Sequence, residues 1–239
     1  MSVIKCKQGW TVFCLAFVLW TFAPLAFADD FAPPTWRDLP ESYYAAWEFL
    51  QGPLPTSGIL PDVEGDGGAG MPGEFLYDKF PTHIDLDGDG WVWDPADGDG
   101  GMVNPGRDAS FAINAINWVD EKPKKLIRVQ LTYMGVPPVV VSAAGSLYHP
   151  YHIPGADPGQ TFLPPVQAGP PMMVDDNHLY ADVEIWPNPD WEQIIVDVPM
   201  GTVIDEVVLD TISIPEPGTF ALFGLGLVGL VGWRRRTRK

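Results

Sequence analysis

Between residues 29 and 214 no stretch of twelve or more residues repeats its apolar side chains at the 3.6-residue spacing of a helix. The chain carries 26 prolines. Each removes a backbone donor and blocks a helix interior. What recurs instead is alternation. Lys125–Tyr133 sets Ile127, Val129, Leu131 and Tyr133 on one side and Arg128, Gln130 and Thr132 on the other, as a half-buried strand does. Leu179–Trp186 alternates in the same way. After the turn residues Pro187-Asn188-Pro189-Asp190, Ile194–Val198 reads as its hairpin partner. Tyr43–Leu50, Trp91–Trp93, Ser110–Trp118, Val139–Ala143 and Val203–Ile214 complete about eight short runs. A short helix rivals a strand over Tyr43–Leu50, because Ala, Glu and Leu favour helix. The fold class expected is all-β, an antiparallel, jelly-roll-like β-sandwich. Gly52–Gly106, acidic and rich in glycine, reads as a long loop region within it.

The two ends follow different rules. Lys5 and Lys7 precede an apolar run from Gly9 to Phe22, and Ala26-Phe27-Ala28 forms a small-residue site before Asp29. These are the parts of a secretory signal peptide, with cleavage expected between Ala28 and Asp29 by signal peptidase. At the other end stand Pro215, Glu216 and Pro217. An uncharged run from Phe220 to Trp233 follows, and then Arg234-Arg235-Arg236-Thr237-Arg238-Lys239. The apolar run is at or below the short end of the roughly 17–25 residues of a membrane span. The basic tail places its end on the cytoplasmic side. An unprocessed anchor would explain the run and the tail but not the Pro-Glu-Pro. Three parts are therefore expected: a signal peptide over 1–28, a β-sandwich ectodomain over 29–214, and a sorting segment with a short transmembrane helix over 215–239.

The tripartite end resembles the PEP-CTERM sorting signal of bacterial exported proteins. The resemblance rests on Pro215, Glu216 and Pro217 with the apolar run and Arg-rich tail that follow, about 25 residues in all. It implies processing by an exosortase, a membrane-embedded transpeptidase. It also implies an association with exopolysaccharide and biofilm. It speaks to sorting and leaves the work of the exported domain open.

Charge and cysteines narrow that work. Residues 29–214 hold 30 acidic against 7 basic side chains, a net charge of −23. Such a field repels nucleic acid and anionic membrane and favours divalent cations. Both cysteines, Cys6 and Cys14, lie in the signal peptide. The exported part has no disulfides, and its stability must come from packing or bound metal.

The best metal candidate is Asp85-Leu86-Asp87-Gly88-Asp89-Gly90. Carboxylates at alternate positions closed by glycine form the first half of a calcium loop. Position twelve is Ala96 rather than a bidentate Glu. Asp94 and Asp97 are the nearest substitutes. Asp62-Val63-Glu64-Gly65-Asp66-Gly67 and Asp97-Gly98-Asp99-Gly100 echo the pattern. A plain acidic turn explains each stretch without an ion. His149-Pro150-Tyr151-His152 has a metal-like gap but lacks the helix and the glutamate of a zinc-protease motif. Seven tryptophans lie in the exported part. Core packing accounts for most of them. Trp91 and Trp93, two apart beside the acidic loop, are the candidates for a sugar platform. No Gly-x-Ser-x-Gly, no exported cysteine and no phosphate loop is present.

The function expected is that of an exported protein, transiently anchored in the membrane and destined for the cell surface, envelope or medium. Outside the cell it is read as a non-enzymatic, calcium-binding matrix component associated with exopolysaccharide. The alternatives are a carbohydrate-binding, lectin-like module and, third, a secreted hydrolase. Glycan binding dependent on Trp91 or Trp93 separates the first alternative, and turnover abolished at a single carboxylate separates the second.

Overall fold

A computed structural model describes residues 30–40, 42–50, 52–55, 58–66, 74–75, 81–95, 100–116, 118–119, 122–149 and 159–214. The signal peptide, its Ala28–Asp29 cleavage site, Asp97, and the sorting segment with Pro215, Glu216 and Pro217 lie outside the described residues. Within them the chain is all-β. Its strands are β1 (Ser42–Trp47), β2 (Val63–Asp66), β3 (Glu74–Phe75), β4 (His83–Asp87), β5 (Val92–Asp94), β6 (Gly101–Val103), β7 (Ala109–Ile116) and β8 (Trp118–Val119). They continue as β9 (Lys124–Met134), β10 (Val139–His149), β11 (Gly159–Phe162), β12 (Val166–Gln167), β13 (Met172–Met173), β14 (His178–Ile185), β15 (Trp191–Val198) and β16 (Val203–Ile214). No described helix is long and apolar enough to cross a membrane.

Two antiparallel sheets carry the fold. The first runs β13-β14-β9-β16-β1-β2, with the β5–β6 pair attached to β16. The second runs β11-β10-β15-β7-β4, with β12 on β10. A small ribbon pairs β3 with β8. The alternation read in β9 is the one observed: Ile127, Val129, Leu131 and Tyr133 are all fully buried. They share one core with Val207 and Leu209 of β16, Phe111 and Ile113 of β7, and Ile194 and Val196 of β15. The core thus draws on one face of each sheet, as in a sandwich. Each such side chain contributes about 1.5–3 kcal/mol on burial. Tyr43–Leu50 resolves to strand, since β1 pairs with β16 and β2 on its two sides.

Two expectations are corrected. β14 and β15 are not a hairpin. β14 pairs with β9 and β13, whereas β15 pairs with β10 and β7 in the other sheet. The Pro187–Asp190 turn crosses the sandwich and is tied to both sides. The Asn188 amide donates to the Pro123 carbonyl at 2.9 Å, and the Asp190 amide donates to the Ser146 carbonyl at 2.9 Å. Alternation tells a strand which side to bury, and both strands obey it, but it does not choose the sheet. The acidic region Gly52–Gly106 is also more than loop. It supplies β4, the edge of the second sheet, and β5 and β6 on the first.

Candidate functional site: the outward face of the second sheet

The outward faces of the two sheets are treated differently. Over the first sheet lies the segment 30–40. The Ala32 amide donates to Gln130 Oε1 at 2.8 Å, and Gln130 Nε2 donates to Asp30 Oδ1 at 2.9 Å. Arg37 grips Asp210 through Nε and Nη2 at 2.5 and 2.6 Å. The Arg128 guanidinium stacks over Trp36 at 5.4 Å and Tyr180 at 4.2 Å. Its bonds to Asp182 raise its pKa further. Asp210 is only 1% exposed, and burial pushes its carboxyl up against the downward pull of Arg37. Gln130 and Asp210 are thereby buried, while Asp182 stays half-exposed.

The second sheet presents a half-exposed, polar outward face. Strand alternation sends Ile84, Phe111, Ile113, Ile194 and Val196 into the core and their neighbours outward. In register across the strands stand His83, Asn114, Gln193 and Ala144. The next row holds Asp85, Ala112, Ile195 and Ser142, and the row beyond holds Asp87, Ser110, Asp197 and Val139. A hydrogen-bonded relay links three strands. Gln193 Nε2 donates to Asn114 Oδ1 at 2.9 Å, Asn114 Nδ2 donates to Asp85 Oδ2 at 3.0 Å, and His83 Nε2 lies 3.2 Å from the same oxygen. Beyond Asp87 a cleft of about 400 Å³ opens between Arg107, Asp108, Ser110, Val139 and Asp197. At the opposite end Trp191 and Phe162 both pair in register with Ser146. Their rings meet edge to face at 6.3 Å, and Phe162 is 71% exposed. The Ser146 side chain is fully buried beside them, and its hydroxyl has no hydrogen-bond partner among the described residues.

Asp85 and Asp87 therefore belong to an extended strand rather than to a wrapped loop. Asp85 is engaged by the Gly58 amide at 3.0 Å as well as by Asn114, and Asp87 accepts from Ser110 at 3.2 Å. Arg107 lies across the Gly88 turn and donates to the Asp89 carbonyl at 3.3 Å. A cation of the protein itself thus stands beside the turn. Asp94 falls on β5, on the other sheet. Among the described residues no three His, Cys, Asp or Glu side chains gather to hold a metal. The echo at Asp62 has a packing role: Asp62 caps the Glu48 amide at 2.7 Å, and Glu64 accepts from the Tyr43 hydroxyl at 2.8 Å.

Trp91 and Trp93 are half-buried. Trp91 meets Phe111 edge-on at 6.3 Å and donates to the Asp87 carbonyl at 3.3 Å. Trp93 donates to the Phe49 carbonyl at 2.8 Å. Its ring fills the space where side chains on Gly52 and Gly100 would stand, 2.4 and 2.6 Å away. Trp191 is half-buried as well but faces outward against Phe162, which is 71% exposed, and Trp186 is 64% exposed. The phase of β15 carried that signal. Trp191 falls in step with Gln193 and Asp197, out of step with the buried Ile194, Val196 and Val198.

Comparison with known proteins reaches the other end of the chain. The family model for the PEP-CTERM protein-sorting motif matches residues 213–236. The chain ends in a PEP-CTERM sorting motif. The match begins at Ser213, inside β16, so the sorting signal starts where the folded domain stops. The chain is thereby an exported protein whose C-terminal segment passes through the membrane on the way to exosortase. No curated protein matches it. A solved structure described as TmCBM61 in complex with β-1,4-galactotriose aligns at 14% identity and a TM-score of 0.22, over 54% of this chain and 87% of that one. At that score no common fold is established.

Proposed function

We propose that this PEP-CTERM protein is released or attached outside the cell as a non-enzymatic component of the envelope or extracellular matrix, associated with exopolysaccharide. The observation that carries this is the sorting motif placed directly after the last strand, with no spacer for a further domain between them. Support for a non-enzymatic role comes from one strongly displaced carboxyl. Burial pushes Glu192 up to about 7, a value suited to acid–base chemistry, yet the side chain is sealed in the core beside Lys125, whose Nζ lies 3.7 Å away. Both are fully buried and out of reach of any substrate. Calcium enters on charge alone: a domain of net charge −23 is relieved by divalent cations.

The sorting half is tested by intact mass. Surface or medium protein should lack Arg234–Lys239. Glu216→Ala should leave unprocessed precursor in the membrane fraction. Wild-type surface protein that retains the basic tail would mean a plain anchor and sink the reading.

A further inference from the structure

We propose that the outward face of the second sheet binds an uncharged polysaccharide chain, with Trp191 and Phe162 as the stacking end and the Gln193–Asn114–Asp85–His83 relay as the hydroxyl-reading centre. This rests on the matrix role proposed above and names the ligand class of that role.

Three observations of shape point to such an occupant. Among the described residues this face stays in partial contact with solvent, whereas residues 30–40 lie over the first sheet and bond to it. The middle row is short at two of its positions, where Ala112 and Ser142 flank Ile195 between the Gln193 and Asp197 rows. From the Trp191 row to the Asp197 row is six residues along β15, or roughly 20 Å at the rise of a strand. That length holds several sugar rings in line.

The chemistry of this face matches a polyhydroxylated chain. Sugar rings have apolar C–H faces that lie flat on an aromatic ring and hydroxyl edges that both donate and accept. The planar Gln193 amide keeps its carbonyl oxygen and one N–H for a hydroxyl pair, while Asn114 is bonded to Gln193 and Asp85. Their relay already fixes their orientation, so little side-chain freedom is lost on binding. Charge decides between polymer classes. Asp85, Asp87 and Asp197 line the face of a domain with net charge −23, which repels uronate, sulfate and phosphate polymers.

The test uses the processed protein recovered after export. It is run through native gels containing a neutral galactan, xylan or β-glucan, with polygalacturonate as the anionic comparison. At least one neutral polymer should retard it, and polygalacturonate should not. Trp191→Ala and Gln193→Ala should each weaken the retardation tenfold or more, while Trp191→Phe keeps most of it. Melting curves within a few degrees of wild type establish that the variants are folded. Asn114→Ala serves as a second relay variant should Gln193→Ala fail to fold. Three results would overturn the proposal: no retardation by any neutral polymer, retardation indifferent to both Trp191→Ala and Gln193→Ala, or binding of the anionic polymer alone. A concentration-dependent dimer dissolved by Trp191→Ala would also overturn it, by assigning the face to a second copy. Intact mass reports the sorting reading separately, so a failure of either can be told from a failure of the other.

Discussion

At the scale of single residues, the inside of the sandwich is not uniformly apolar. Lys125 continues the buried row of β9, and Glu192 does the same on β15, so a lysine and a glutamate face each other in the core. Desolvation raises the Glu192 carboxyl from 4.5 to about 7 despite the lysine. The folded state therefore holds its proton more tightly than the unfolded chain. Between those two values the unfolded form releases a proton that the folded form keeps, so stability falls as pH rises across that window and the contribution is gone above it. Asp210, also raised by burial, acts with the same sign. Melting temperature should drop between pH 4.5 and 7. Glu192→Gln should flatten that slope, because the amide stays neutral throughout the window. An unchanged slope in the variant, measured at constant ionic strength, would remove Glu192 as the cause.

At the scale of elements, β9 and β16 form the centre of the first sheet and the N-terminal segment forms its cover. The cover is held by charge. Arg37 is 14% exposed and Asp210 1%. Arg37→Ala strands a buried carboxylate and should cost up to about 3 kcal/mol. Limited proteolysis should then cut within residues 30–40 faster than in wild type, and equal cutting would mean that the segment is held by other contacts. The elements themselves were readable in advance wherever alternation was clean, as in β9 and β14. Their partners were not. β14 and β15 show the same alternation and a turn sequence between them, yet sit in different sheets. Backbone hydrogen bonds are alike in both pairings, so the choice falls to packing and to the anchoring of Asn188 and Asp190.

At the scale of the whole molecule, charge and sorting dominate. The acidic excess should make the domain sensitive to cations, and calcium should raise its melting temperature more than sodium at equal ionic strength. The strand setting of Asp87 and the Arg107 contact at Asp89 carry a further expectation. Asp87→Asn with Asp89→Asn should leave that calcium increment nearly intact. Loss of the increment in the double variant would restore Asp85–Asp89 as the site. Identical curves in calcium and sodium would remove calcium from the proposed function.

What the sequence determined alone is whatever depends on neighbours along the chain. The sorting end is one case, because its parts act in linear order. The all-β class is another, because proline density and period-two alternation are local properties. Tertiary structure decided the rest. The Asp-x-Asp spacing is equally that of a calcium loop and of one strand face, and only pairing with β7 makes it the latter. Trp91 and Trp93 look exposed beside acidic residues, and only the approach of Phe111, Phe49, Gly52 and Gly100 takes up their rings. The Trp191–Phe162 pair, 29 positions apart in the chain, meets through β10. No linear pattern specifies which strand will lie between two others, because that is settled by the competition of all faces for one core.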